Sequence, residues 1–160
     1  MGETGKANID QALVHAQKLF ALCEAIGSDI VCLTVLNPDA SKFEHAFLMD
    51  GALSVTRAAT PTGAQTFCQQ VIDSAEPLIV PDMSKRPKEK CCPMMVAEGY
   101  AAYAGAPIFR GQKCIGAAEA ISNVARIWNK DDILLLTGMA NLVSGEIAQA
   151  EKLVELRSKQ

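Results

Sequence analysis

In the stretch YAAYAGAPIFRGQKCIGAAEAIS, Tyr100 to Ser122, an otherwise apolar second half carries one carboxylate, Glu119. A charge among apolar neighbours is costly, so that group must meet solvent, a cation, a hydroxyl donor or a ligand. The other candidate chemistry lies in six cysteines: Cys23, Cys32, Cys68, Cys91, Cys92 and Cys114. Cys23, Cys32 and Cys114 sit in or beside apolar runs, where a thiol behaves as a small hydrophobe. Cys91 and Cys92 instead fall in the polar, proline-containing segment MSKRPKEKCCPMMVAEG. Adjacent thiols near Lys88 and Lys90 can act as a redox switch; the plainer reading is one packed and one exposed thiol. His15 and His45 have no partner at metal-ligand spacing, and the adjacent cysteines do not match zinc or iron–sulfur patterns, so no metal is expected. Neither a phosphate-binding loop nor a nucleophile elbow is present.

The chain must position these groups with 160 residues, 49% of them apolar. That suits a single domain over 1–160, with a core spanning about 8–150 and a helical extension over 150–160. The net charge of −3 comes from interspersed charges, and the densest basic run, KRPKEK, is broken by proline and glutamate. Nucleic acid is not expected as a partner. With a polar N-terminus and no long uninterrupted apolar run, neither a secretory signal nor a membrane span is expected. A cytoplasmic chain with reduced thiols follows.

The first element is an amphipathic helix in NIDQALVHAQKLFALCEAIG, capped at Asn8, with Ile9, Leu13, Ala16 and Phe20 on one stripe and Gly27 as its stop. DIVCLTVLN and FEHAFLMDG read as an antiparallel strand pair. TPTGAQTFCQQVIDSAE continues into a second helix with Phe67, Val71 and Ile72 on its stripe, and PLIVPD is a short strand. Met83 to Gly99 reads as an irregular loop holding one helical turn at most, the kind of long loop that is usually functional. AYAGAPIF and CIGAAEAIS form a hairpin with Gly111 at its tight position. Asn129 caps a final helix, with Asp132 at its third position. Along it Leu136, Ala140, Val143, Ile147, Ala150 and Val154 alternate in steps of four and three. That seam predicts packing against a second copy of the chain.

The order helix, two strands, helix, strand, loop, two strands, helix predicts an α+β fold with an antiparallel sheet. Several motifs together resemble the GAF domain, the small sensory module of signalling proteins. They are Phe67-Cys68, Pro77-Leu78, Val80-Pro81-Asp82, Tyr103 to Pro107, Gly111, Ile115-Gly116, Arg126, Trp128 and Asp131, over about Thr60 to Ile147. The resemblance implies a GAF/PAS-like architecture. The N- and C-terminal helices would lie on one face of a central antiparallel sheet, and a loop and helix roof would cover a ligand pocket on the other. It also implies a homodimer through the terminal helices, and either a partner protein or a fused output domain.

Alternation along the last strand puts Ile115, Ala117, Glu119 and Ile121 on one face and Cys114, Gly116, Ala118 and Ala120 on the other. The small residues of the second face suit helix packing, so Glu119 points under the roof. There it contacts a ligand or pairs with Lys85, Arg86 or Lys90. Tyr103, beside the small Gly105, is favoured over Tyr100 for the pocket. Met94 and Met95 can fill an irregular cavity or serve as plain packing. Under the resemblance the candidate ligand contacts are Phe67, Cys68, Met83, Cys91, Cys92, Met94, Met95, Tyr103, Glu119 and Ile121. One GAF-like branch reduces free methionine-(R)-sulfoxide with cysteines, and Cys92 and Cys68 fall at the intervals of its catalytic and resolving residues. Yet Tyr103 and Ile121 stand where that branch has acids, and its Trp-Gly-Tyr signature is missing from DIVCLTVL. The chain is therefore read as a non-enzymatic small-molecule receptor whose ligand and cofactor are unspecified. The reductase and a purely structural dimerisation module are the alternatives.

Overall fold

The structure, a computed structural model, describes residues 16–36, 43–56 and 66–160. The expected helix cap at Asn8, His15 and the approach to the second helix before Thr66 lie outside these residues. The described elements are α1 (Ala16–Ile26), β1 (Ile30–Leu36), β2 (Phe43–Met49), β3 (Ala52–Thr56), α2 (Phe67–Ser74), β4 (Leu78–Val80), α3 (Pro93–Ala97), β5 (Ala102–Arg110), β6 (Lys113–Ser122) and α4 (Lys130–Ser158). Six strands form one sheet in the order β3-β2-β1-β6-β5-β4. Each neighbouring pair is antiparallel. The architecture is the α+β arrangement expected, with one strand more.

That extra strand, β3, follows the two-residue turn Asp50-Gly51, whose φ angles are 51° and 75°. Two consecutive positive φ values give a turn whose twist matches that of a hairpin, and Asp-Gly is a preferred pair for it. Register confirms the hairpin, with Met49 opposite Ala52.

Terminal helices α1 and α4 cover one face of the sheet. Leu19, Leu22 and Ile26 of α1 and Leu136, Met139, Ala140, Val143 and Ile147 of α4 are buried with Val31, Leu33, Val35, Ala104, Ala118 and Ala120. The α1 stripe therefore differs from the expected one, and Phe20 is 43% exposed. Apolar residues occur on two sides of LFALCEAI, and the Leu19-Leu22-Ile26 row wins because it faces the sheet. The seam on α4 is corrected in the same way. Leu136, Ala140, Val143 and Ile147 are spent on the chain's own core, leaving Val154 exposed. By length and composition α4 would pass for a membrane span, yet this row is buried against the sheet. Asn129 accepts from the Asp132 backbone N–H and Asp132 reaches back to Asn129, a complete capping box at the start of α4.

Alternation along β6 is broken by a bulge. Ile108 sits opposite Gly116 while Phe109 sits opposite Cys114, so Ile115 is the extra residue. Ile115 consequently joins the helix-side core, and the Cys114 thiol points to α2, donating to the Val71 carbonyl at 3.9 Å. Both were expected on the opposite faces. Gly116 is required here, because a Cβ would collide with the Thr34 carbonyl oxygen. Beyond the bulge the alternation resumes as expected. Ala117 and Ile121 are buried on the roof side with Phe67, Val71, Met83 and Tyr103, and Glu119 is buried on that side too.

Candidate functional site

The roof-side floor is built by the central strands β1 and β6. Pairing Cys32 with Glu119 and Thr34 with Ala117 sets three polar side chains beside one another on the roof side. Glu119 is only 3% exposed. Thr34 Oγ1 donates to its Oε1 at 2.5 Å, and the Tyr103 hydroxyl donates to its Oε2 at 2.5 Å. No basic residue is among these partners, so the expected salt bridge to Lys85, Arg86 or Lys90 is not formed. Arg86 instead donates to the Lys90 carbonyl at 3.0 Å and to Gln70 Oε1 at 2.8 Å, which ties the roof to α2. Lys85 and Lys90 are exposed.

Electrostatics follow from this placement. Burial pushes the Glu119 carboxyl above the ordinary glutamate range, against the donors Thr34, Tyr103 and Cys32, which pull it down. Burial and the nearby Glu119 hold the Tyr103 phenol, the Cys32 thiol and the Cys68 thiol well above their usual values. His45 Nδ1 lies 2.8 Å from Thr34 Oγ1. With the single Thr34 proton given to Glu119, His45 donates through an Nδ1–H. Burial lowers the imidazole from its ordinary value.

Above this floor lies a cavity of about 440 Å³, within the usual range for small-ligand sites. Of the sequence-derived candidates, Phe67, Cys68, Cys92, Met94, Met95, Glu119 and Ile121 line it. Met83, Cys91 and Tyr103 do not. The Tyr103 ring lies fully buried 4.7 Å from that of Phe67, centroid to centroid. It lies over Gly105, where a Cβ would strike the Tyr103 hydroxyl. Room beside a glycine was legible, but the ring uses it to reach Glu119 from behind, and Tyr100 takes the place on the wall. Cys91 and Cys92 are 5% and 2% exposed. The exposure that a redox switch requires is therefore missing. Cys91 is held by a bond to the Met83 carbonyl at 3.5 Å.

Sequence reasoning missed Cys32, Thr34, Phe43 and His45 as cavity residues. The signal available was strand pairing: once β1 is placed beside β6 and β2, alternate residues Cys32 and Thr34 face the same way as Glu119, and His45 lies opposite Thr34. Several motif residues prove structural instead. Asp82 caps the helical turn Met83–Lys85, the first of two that the roof holds besides α3, by accepting from the Ser84 N–H at 3.0 Å. The Trp128 indole donates to the Val80 carbonyl at 3.4 Å, and the Arg126 guanidinium lies 4.3 Å above its ring while pairing with Asp132 at 3.0 Å. These contacts lock the start of α4 to the sheet. Among the described residues, no group of three or more histidines, cysteines or acids is placed to hold a metal ion.

The described residues thus form a six-stranded antiparallel sheet with terminal helices on one face and a roofed cavity on the other. The sequence profile of the GAF domain matches residues 19–147, and the chain belongs to that family. No curated protein sequence matches it. Among solved structures, a red/green cyanobacteriochrome in its red light-absorbing state is similar with a TM-score of 0.65 at 19% identity, covering 90% of this chain and 97% of that one. The GAF domain of a phosphoenolpyruvate–protein phosphotransferase from Coxiella burnetii gives a TM-score of 0.64 at 18% identity, covering 86% of this chain and 82% of that one. Free methionine-R-sulfoxide reductase from Neisseria meningitidis, in complex with its substrate, gives 0.61 at 19%, covering 85% and 78%. At these identities the likeness concerns the fold.

Proposed function

We propose that the chain is a single small-molecule-binding sensory or regulatory GAF domain of a signal-transduction protein, acting in the cytoplasm. Its ligand would sit between sheet and roof, and its output would pass through a dimeric helical interface to a partner protein or a fused domain. The observation that carries this reading is the cavity of about 440 Å³ with the buried Glu119 in its floor, since a sheet face meant only to pack would be closed by side chains. Phe67, Cys68, Cys92, Met94, Met95, Glu119 and Ile121 would touch the ligand, and Tyr103 would act through Glu119. Binding would favour one arrangement of roof and α4 over another, which requires only differential affinity. The test is mass spectrometry of the natively purified chain. A small-molecule adduct lost on denaturation is expected; an adduct-free protein whose cavity is filled by side chains in a crystal structure would contradict the reading.

For the dimer, the seam buried in the core is replaced by another face of α4, where Leu134, Leu135 and Leu142 are 67%, 38% and 39% exposed. Leu142→Glu is expected to convert a dimer to a monomer in analytical ultracentrifugation; a wild-type monomer would refute the interface. The reductase reading is disfavoured by the Cys68 thiol, which burial and Glu119 hold in its unreactive protonated form. No thiol-dependent turnover of methionine sulfoxide is expected.

A further inference from the structure

Charge around the cavity is one-sided. Glu119, on the floor and 3% exposed, is met only by the uncharged donors Thr34, Tyr103 and Cys32. Among the described residues that line the cavity there is no lysine or arginine, the imidazole of His45 is shifted by burial toward its neutral form, and the other charged residue is the acid Glu98. Tyr100, half-buried on the wall, shows the same bias independently. Besides burial, its phenol is raised by the fields of Glu98, Asp29 and Asp50. Arg86 of the roof lies 6.0 Å from the Phe67 ring centroid, and its guanidinium is committed to Gln70 and the Lys90 carbonyl. A carboxylate has about four acceptor sites, and one hydroxyl on each oxygen with the Cys32 thiol leaves one of them for a ligand. The walls are otherwise apolar, from Ile30, Phe43, Phe67 and Ile121, with the soft sulfurs of Met94 and Met95 at the roof. Thioether sulfur makes favourable contacts with aromatic rings.

We propose that the cavity selects a small molecule with an apolar, aromatic body and one protonated amine, the ammonium serving as the missing counter-charge to Glu119. The inference rests on the reading of the cavity as a ligand site and narrows it. Glu98 on the wall adds a second negative charge that draws the cation in, and the floor hydroxyls of Thr34 and Tyr103 hold the carboxylate in place to receive it. A carboxylate-bearing ligand of the same shape is repelled at both points.

The test is calorimetric titration at neutral pH with three probes of one body: 2-phenylethylamine, 2-phenylethanol and 3-phenylpropanoate. The amine is expected to bind at least about tenfold more tightly than the carboxylate, because opposite and like charges near a low-dielectric site differ by that much or more. Glu119→Gln should abolish the preference for the amine over the alcohol. Should that variant fail to fold, the wild-type protein still decides the matter, through affinities that fall in the order amine, alcohol, carboxylate. Alcohol binding without any amine preference would overturn the inference and leave the receptor reading standing. Carboxylate binding as tight as amine binding would overturn it as well. Failure of all three probes to bind at millimolar concentration would overturn the inference, while the receptor reading stands or falls with the native mass spectrum.

Discussion

The two faces of the sheet are finished in opposite ways by the same strands. On the helix side, Leu19, Leu33, Ile108, Leu136 and Ile147 are at most 2% exposed. On the roof side, the cluster is rich in thiols and thioethers, its cover consists of α2, short turns and the five-residue α3, and a carboxylate lies beneath it. Residue 119 belongs to the same strand as Ala118 and Ala120, which pack under α4. One strand thus serves a closed core and an open site through alternation alone. The helix face should carry stability and the roof face should carry specificity.

The largest effect is expected from breaking the closed face. Leu136→Ala should cost about 2–5 kcal/mol in denaturant unfolding, the range for a fully buried leucine. A cost below that of any roof substitution would show the contrast to be misplaced.

On the open face, Gly105→Ala should cost about 1–3 kcal/mol by overpacking against the Tyr103 hydroxyl. Tyr103→Phe should lose about 1.5–3 kcal/mol, the worth of a hydrogen bond to a charged partner. The phenylalanine variant should also move the Glu119 titration further up, read by carbon NMR of the glutamate carboxyl; an unmoved titration would mean that the bond does not hold the charge.

Glu119→Gln sharpens the comparison through pH. A carboxyl whose folded pKa lies above its unfolded one holds more protons in the native state, so stability falls as pH rises from the ordinary glutamate range through the folded value. The variant should match wild type below that window and be relatively more stable above it. His45, lowered by burial, contributes with the opposite sign, losing stability as pH falls below the ordinary histidine range. It is common to both proteins and drops out of the difference. Parallel pH–stability curves would refute the assignment. The smallest effect belongs to Met94→Ala, 55% exposed at the roof: stability should change by no more than about 0.5 kcal/mol, while affinity for an aromatic probe should weaken.

Much of this division was legible before the structure. Period-two patterning put Glu119 on the face away from the terminal helices, the Asn129-Asp132 cap started α4 correctly, and the antiparallel sheet followed from element order, its two kinds of cover from the resemblance to the GAF domain. Local pattern failed where tertiary geometry decides. The bulge at Ile115 shifts the phase of one strand and has no sequence mark beyond Gly116. The heptad row of α4 satisfies an intramolecular sheet as well as it would a second helix, so spacing alone could not choose. Tyr100 and Tyr103 exchanged roles because the direction of a long side chain depends on what accepts its hydroxyl, here a glutamate on the neighbouring strand. Thr34 and His45 entered the site through cross-strand register, which no single segment reveals.

The methyl spectrum of methionine-labelled protein tests the central claim most directly, since Met49, Met94 and Met95 line the cavity whereas Met139 is buried under the terminal helices. Titration with 2-phenylethylamine is predicted to shift the three cavity methyls and leave Met139 in place. Shifts at Met139 of equal size, or no shift at the cavity methionines, would contradict the account.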